Sequence, residues 1–153
     1  MTAQLFPTPQ EMVTKDDYYT PAWVFDRLGL RFDLDVAAPP QGVPWIPADR
    51  YYTQADNGLT QPWTGRVWMN PPYSAATAWV TKFIEHRHGI ALVGHAKSAW
   101  HPRLWAEADG AVMPFEYFDF VGGSIFMPVW FAAFGDECVE AIGRMGIVRK
   151  VAA

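Results

Sequence analysis

The chain carries a single cysteine, Cys138, in 153 residues, so an internal disulfide framework is excluded and the thiol reads as a small core side chain. The four histidines show no spacing with it that suggests zinc, and no metal is expected. Basic residues are in the minority, 12 Lys plus Arg against 16 Asp plus Glu, for a formal net charge of −4. That balance argues against a protein that coats nucleic acid through bulk electrostatics, while leaving room for a local basic groove. No apolar run reaches the roughly 18 residues of a membrane span. Met1-Thr2-Ala3-Gln4-Leu5 lacks a basic region followed by an apolar stretch, so no signal peptide is expected either. The location read from these absences is cytoplasmic. Internal repeats and low-complexity segments are also missing.

What the sequence does have is apolar and aromatic material. Half of its residues are hydrophobic and 16% aromatic, with eight tryptophans. This is enough for one domain with a real core, and such rings also suit the stacking of bases or of a cofactor's adenine. Residues 1–15 mix prolines and polar side chains without periodicity and read as a flexible arm before a domain spanning 16–153. Thr20 and Pro21 are placed to cap and begin a short helix over 22–29 that Gly29 ends. Residues 32–38 alternate apolar and acidic, turn small at Ala37 and Ala38, and are broken by Pro39-Pro40. They read as a strand ending in Asp35, either a carboxylate facing a cationic ligand group or, as alternation alone favours, one in solvent with Asp33.

Residues 39–65 are rich in Pro, Gly, Asp and Tyr and offer no helix or long strand, and loops of that length are usually functional. Within them, Ala55-Asp56-Asn57-Gly58-Leu59 has the composition of a tight turn. Ser74 is expected to cap a helix over 75–87 and Asp136 one over 137–145, with a shorter helix over 102–108. Strands are expected over 89–95, 111–115 and 126–134, a hairpin or bulged turn over 116–125 around Gly122-Gly123, and a last strand or tail over 147–151. The alternation of strand and helix from Phe32 onward predicts an α/β fold whose sheet is mostly parallel, with flanking helices and a C-terminal hairpin.

The chemistry is expected at Val67-Trp68-Met69-Asn70-Pro71-Pro72-Tyr73-Ser74. The apolar run is a buried strand by composition, and two prolines then forbid both ladder and helix. The backbone must leave the sheet at Asn70. Pro71 and Pro72 hold the carbonyls of Asn70 and Pro71 in a stiff extended geometry, the Asn70 amide adds another acceptor, and Tyr73 supplies a plane. Acceptors aimed at both hydrogens of an exocyclic amine keep its lone pair off the ring and make it a better nucleophile. The plainer alternative is a proline-rich strand end with a capping Asn.

The tetrapeptide resembles the catalytic motif of S-adenosylmethionine-dependent amino-methyltransferases, which act on adenine N6, cytosine N4 or a protein glutamine. The order Thr20-Pro21, Asp35-Val36-Ala37-Ala38, Asn57-Gly58-Leu59, Asn70-Pro71-Pro72-Tyr73 resembles the small phage-type DNA N6-adenine methyltransferases (phage Dam), from about Asp17 to Phe134. The resemblance implies a single-domain Rossmann-like methyltransferase using S-adenosylmethionine on DNA, with the target adenine flipped out. It also implies that Thr20 and Pro21 lie against the cofactor's methionine part, that Asp35 stands opposite its amino group, and that Asp56 or Asn57 faces its adenine, while the small Ala37 permits close approach of the cofactor. Asn70, Pro71, Pro72 and Tyr73 would be catalytic. Departures are Asn57 where similar sequences often carry Asp, Ala96-Lys97-Ser98 after the strand ending at His95, and acidic Glu116 and Asp119 in the hairpin. Lys97 and Arg103 are the better placed basic residues for DNA, ahead of Lys82, Arg87, Arg144, Arg149 and Lys150. A catalytically silent binding relative is the alternative of another class. The short chain leaves sequence preference to its loops or to a second subunit, as in a homodimer.

Overall fold

The computed structural model describes residues 19–116 and 128–150. The expected arm at 1–15 and nearly all of the expected hairpin at 116–125 lie outside them. Among the described residues the elements are, in order, α1 (Ala22–Leu28), β1 (Phe32–Asp35), β2 (Ala48–Tyr51), β3 (Val67–Met69), α2 (Ala76–His86) and β4 (Gly89–Gly94). After these come α3 (Trp100–Glu107), β5 (Gly110–Pro114), β6 (Val129–Phe134), α4 (Asp136–Ile142) and β7 (Gly146–Lys150). One sheet runs in the order β2-β1-β3-β4-β6-β5-β7.

Alternate residues of the strands feed two cores, one on each face. Trp68, Ile90 and Leu92 meet Val24, Phe25 and Leu28 of α1 and Val139 and Ile142 of α4. Val67, Met69, Ala91 and Val93 meet Val80, Phe83 and Ile84 of α2 and Leu104 of α3. The period-two alternation of strand side chains accounts for this three-layer arrangement. Phe25, Phe32 and Trp68 lock α1 to the sheet, with ring centroids 4.7 to 6.5 Å apart.

The sheet is mixed, which corrects the expectation of a mostly parallel one. Strands β2, β1, β3 and β4 pair in parallel, whereas the β4–β6, β6–β5 and β5–β7 pairs are antiparallel. The reason is that two strands run the opposite way to the rest, β6 between β4 and β5 and β7 at the edge beside β5. A strand buried on both faces, as Val129–Phe134 is, reads the same in either direction. Strand β2 is a further addition, found inside the segment expected to be irregular. Its Ala-Asp-Arg-Tyr sequence is largely exposed at the sheet edge, and so shows no apolar alternation.

The helix starts also differ from expectation. Pro21 occupies the N-cap position of α1 without a side-chain cap. Ser74 lies in a 3-10 turn over Tyr73–Ala75, leaving Ala75 at the α2 cap. Gly135, at φ 97°, precedes α4, so Asp136 sits in its first turn, where a carboxylate still suits the helix dipole. Gly29 ends α1 in the left-handed conformation as expected.

Candidate active site

Strands β1, β2 and β3 all point their carboxyl ends at one edge of the sheet. The chain passes from β1 outward to β2 and then back across to β3 on the other side of β1. Such a reversal in strand order opens a crevice at the carboxyl ends, the usual ligand position in open α/β sheets. A cavity of about 600 Å³ lies there, a size typical of small-molecule sites. Thr20, Asp35, Ala37, Asn57, Asn70 and Pro72 line it together, although they are spread over some fifty positions of sequence. Pro21 and Pro71 are buried beside it, while Asp56 and Tyr73 are also not among its lining residues.

Asp35 is the electrostatic centre of this cavity. It is 3% exposed, and desolvation pushes its carboxyl up from 3.8 to about 7, against a lowering hydrogen bond from the Ala37 backbone N–H at 3.2 Å. No Lys, Arg or His forms an ion pair with it among the described residues. Asp33, by contrast, is exposed and accepts from the Arg66 backbone N–H. The backbone around Asp35 is fixed by the sheet, since its carbonyl accepts from Tyr52 N–H and Val36 N–H donates to Trp68 O. A buried carboxylate without a cation, at the wall of a ligand-sized cavity, suits an ammonium group supplied from outside.

Asn70 and Thr20 meet across the cavity mouth. The Asn70 side-chain N–H donates to the Thr20 hydroxyl at 3.3 Å. Thr20 is itself buried, and its backbone carbonyl accepts from Trp45 Nε1 at 2.7 Å. The Thr20 hydroxyl thus orients Asn70 rather than capping α1. Pro72 at φ −60° and ψ 120° keeps the exit from β3 extended before the 3-10 turn that carries Tyr73.

On the opposite wall, the turn after β2 brings Asn57 and Gly58 to the cavity. Asn57 adopts φ 57°, a left-handed conformation that Asn tolerates better than most residues. Gly58 has no room for a side chain, because a Cβ there would lie 2.2 Å from Val36 O. Asp56 is exposed and ties the turn down. Its carboxylate accepts from the Thr53 N–H and hydroxyl, which hold it below its usual range. Trp79 of α2 sits on a helix whose apolar residues otherwise pack in the core, yet it lines the cavity beside Gly58.

The basic candidates are distributed differently. Lys97 is exposed in the loop after β4, at the same sheet edge. Arg103 is exposed on α3 and paired with Glu107 at 2.7 Å. Glu116 pairs with Arg27 at 2.7 Å. The rings of His95 and His101 lie 4.7 Å apart, and burial together with the His95 charge lowers the His101 pKa. Among the described residues no group of His, Cys, Asp or Glu is arranged to hold a metal ion, and no helix is long and apolar enough to cross a membrane.

A family model described as DNA N-6-adenine-methyltransferase (Dam) matches residues 8–112, which include every candidate site residue from Thr20 to Arg103. Over 75 residues the chain is 37% identical to the DNA N-6-adenine-methyltransferase of Haemophilus phage HP1 (strain HP1c1), covering 46% of this chain and 42% of that protein. Over 121 residues it is 31% identical to the DNA N-6-adenine-methyltransferase of Escherichia phage T1, covering 69% of this chain and 45% of that one. The chain spans less than half the length of these curated relatives. No solved structure matches it.

Proposed function

The chain belongs to the DNA N-6-adenine-methyltransferase (Dam) family, and from that premise we propose that it transfers a methyl group from S-adenosylmethionine to adenine N6 in DNA. The observation that carries the reading is the sharing of one cavity by a buried, cation-free carboxylate, Asp35, and the proline-stiffened acceptor Asn70. S-adenosylmethionine, when bound, supplies an electrophilic methyl group on a sulfonium.

The residues present fit that cofactor. Asp35 would take its ammonium, with Thr20, Pro21 and Ala37 bounding the amino-acid arm, and Asn57 beside Trp79 would take its adenosine. We read the parallel half of the sheet, β2-β1-β3-β4, as the Rossmann-like half that builds this site.

The target adenine would be flipped out of the duplex to reach Asn70. There the Asn70 side-chain oxygen and the Pro71 carbonyl accept the two amine hydrogens, and Tyr73 stacks on the ring. These acceptors localise the nitrogen lone pair so that no strong base is needed before transfer, and the methylated nitrogen would then release one proton to solvent. Pro71 and Pro72 keep the acceptors from rearranging. Lys97 and Arg103 are assigned to backbone phosphates, Arg103 by leaving Glu107. Sequence preference falls to loops around the cavity or to a second copy of the chain. Action on phage or host DNA would place the protein in the host cytoplasm.

Labelled-methyl transfer to unmethylated duplex DNA, by the wild type and by Asn70→Ala, tests the reading. The wild type is expected to label DNA and the variant to lose transfer while still binding S-adenosylhomocysteine. Equal labelling by both would overturn it.

A further inference from the structure

Among the described residues, Lys82 stands out because its ammonium is spent on the backbone of one turn. It donates to the carbonyls of Leu59 at 2.8 Å, Gln61 at 2.5 Å and, more loosely, Gly58 at 3.4 Å. No carboxylate lies within ion-pair distance of it among the described residues. The same ammonium sits over the Trp63 ring, 5.1 Å from its centroid. Trp63 Nε1 donates to Gly58 O at 2.8 Å, so this carbonyl is gripped from two sides. Burial accordingly pulls the amine below its ordinary pKa.

This clasp connects directly to the cavity wall. Trp63 stacks on Trp79, centroids 6.4 Å apart and planes 25° from parallel, and Trp79 lies one helical turn before Lys82 on α2. Gly58 is wedged between Val36 O and the Trp79 ring, where a Cβ would come within 2.2 and 3.1 Å. Asn57, Gly58 and Trp79 all line the cavity, whereas Lys82 and Trp63 do not. The clasp therefore reaches the ligand only through the turn and the Trp79 ring.

We infer that Lys82 is a positioning residue for the adenosine end of the cofactor site, holding the turn over 58–61 so that Asn57 and the face of Trp79 are set before the ligand arrives. The inference rests on the reading of the cavity as the S-adenosylmethionine site. A multiply hydrogen-bonded ammonium is worth most where an irregular turn must be rigid, because rigidity removes an ordering cost from binding.

The test is isothermal titration of S-adenosylhomocysteine into wild type, Lys82→Met and Trp63→Phe, with thermal melts of each. Trp63→Phe keeps an aromatic ring but removes the N–H to Gly58 together with part of the surface that stacks on Trp79. We expect Lys82→Met to weaken binding by about 10- to 100-fold and Trp63→Phe by about 3- to 10-fold, for loss of a charged and a neutral clasp respectively. In steady-state assays the KM for the methyl donor rises, while kcat at saturating donor and the KM for DNA stay within twofold. Wild-type binding with both variants within twofold of it would overturn the positioning role and leave the cavity assignment standing. A fall in kcat with an unchanged donor KM would overturn it as well. No wild-type binding would remove the cavity assignment and the inference together.

Discussion

Replacing Asp35 with Asn should make the empty protein more stable at pH 8 and weaken its binding of S-adenosylhomocysteine. The carboxyl titrates at 3.8 when solvated and at about 7 in the fold. The folded value is raised, so the stability linked to this group is complete below about pH 4, is lost as pH rises toward 7, and changes no further above it. At about 1.4 kcal/mol per pH unit the full shift corresponds to roughly 4 kcal/mol. Water in the adjoining cavity relieves part of that cost, leaving an expected gain for Asp35→Asn of about 1–3 kcal/mol at pH 8. Asn retains an oxygen for the Ala37 N–H, so the substitution leaves no new orphan there. For a chain of this length the gain corresponds to a rise in Tm of roughly 3–10 °C.

Calorimetric melts of both proteins from pH 4 to 8 without cofactor would show the advantage shrinking steadily as pH falls and smallest at pH 4. The same variant should bind S-adenosylhomocysteine at least about tenfold more weakly, through loss of one desolvated charge pair. A variant less stable than wild type at pH 8 would mean that the carboxylate is stabilised in the empty protein, which refutes the electrostatic argument. Unchanged affinity would refute its role toward the ligand.

Four further outcomes are expected. Wild-type affinity for S-adenosylhomocysteine, titrated between pH 5.5 and 7.5, should tighten about tenfold per unit up to about pH 7 and then flatten, because the ammonium needs Asp35 ionised. Asn70→Ala should lower kcat at least about 100-fold, in line with removal of a preorganised polar group, with cofactor affinity changed less than about threefold. Gly58→Ala should destabilise the fold by about 2 kcal/mol or more, measured by urea unfolding, since its Cβ would collide with Val36 O. Burial pushes the Cys138 thiol up to about 11, so a thiol reagent at pH 8 should label it only as fast as the protein unfolds.

The parts of this molecule that the sequence made legible are those where local composition and tertiary role coincide. Val67–Met69 followed by Asn70-Pro71-Pro72 is apolar because it is buried, and it must leave the sheet because proline cannot continue it. Gly29 ends its helix for an equally local reason. The β6 insertion was not legible, because a strand buried on both faces carries no mark of direction. Nor was β2, whose exposed Ala48–Tyr51 residues are held by pairing with β1 rather than by their own pattern. Thr20 illustrates a residue whose local meaning was overridden, since its hydroxyl serves Asn70, fifty positions away. Lys82 had the appearance of any surface lysine on a helix, and only the fold brings the turn over 58–61 to its ammonium.

Adenine methylation is tested most directly by nucleoside analysis, using mass spectrometry, of unmethylated duplex DNA incubated with the purified chain and S-adenosylmethionine. N6-methyladenine is the expected methylated product, absent when Asn70→Ala replaces the wild type. N4-methylcytosine in its place, or no methylated nucleoside from a chain that binds the cofactor, would contradict that expectation.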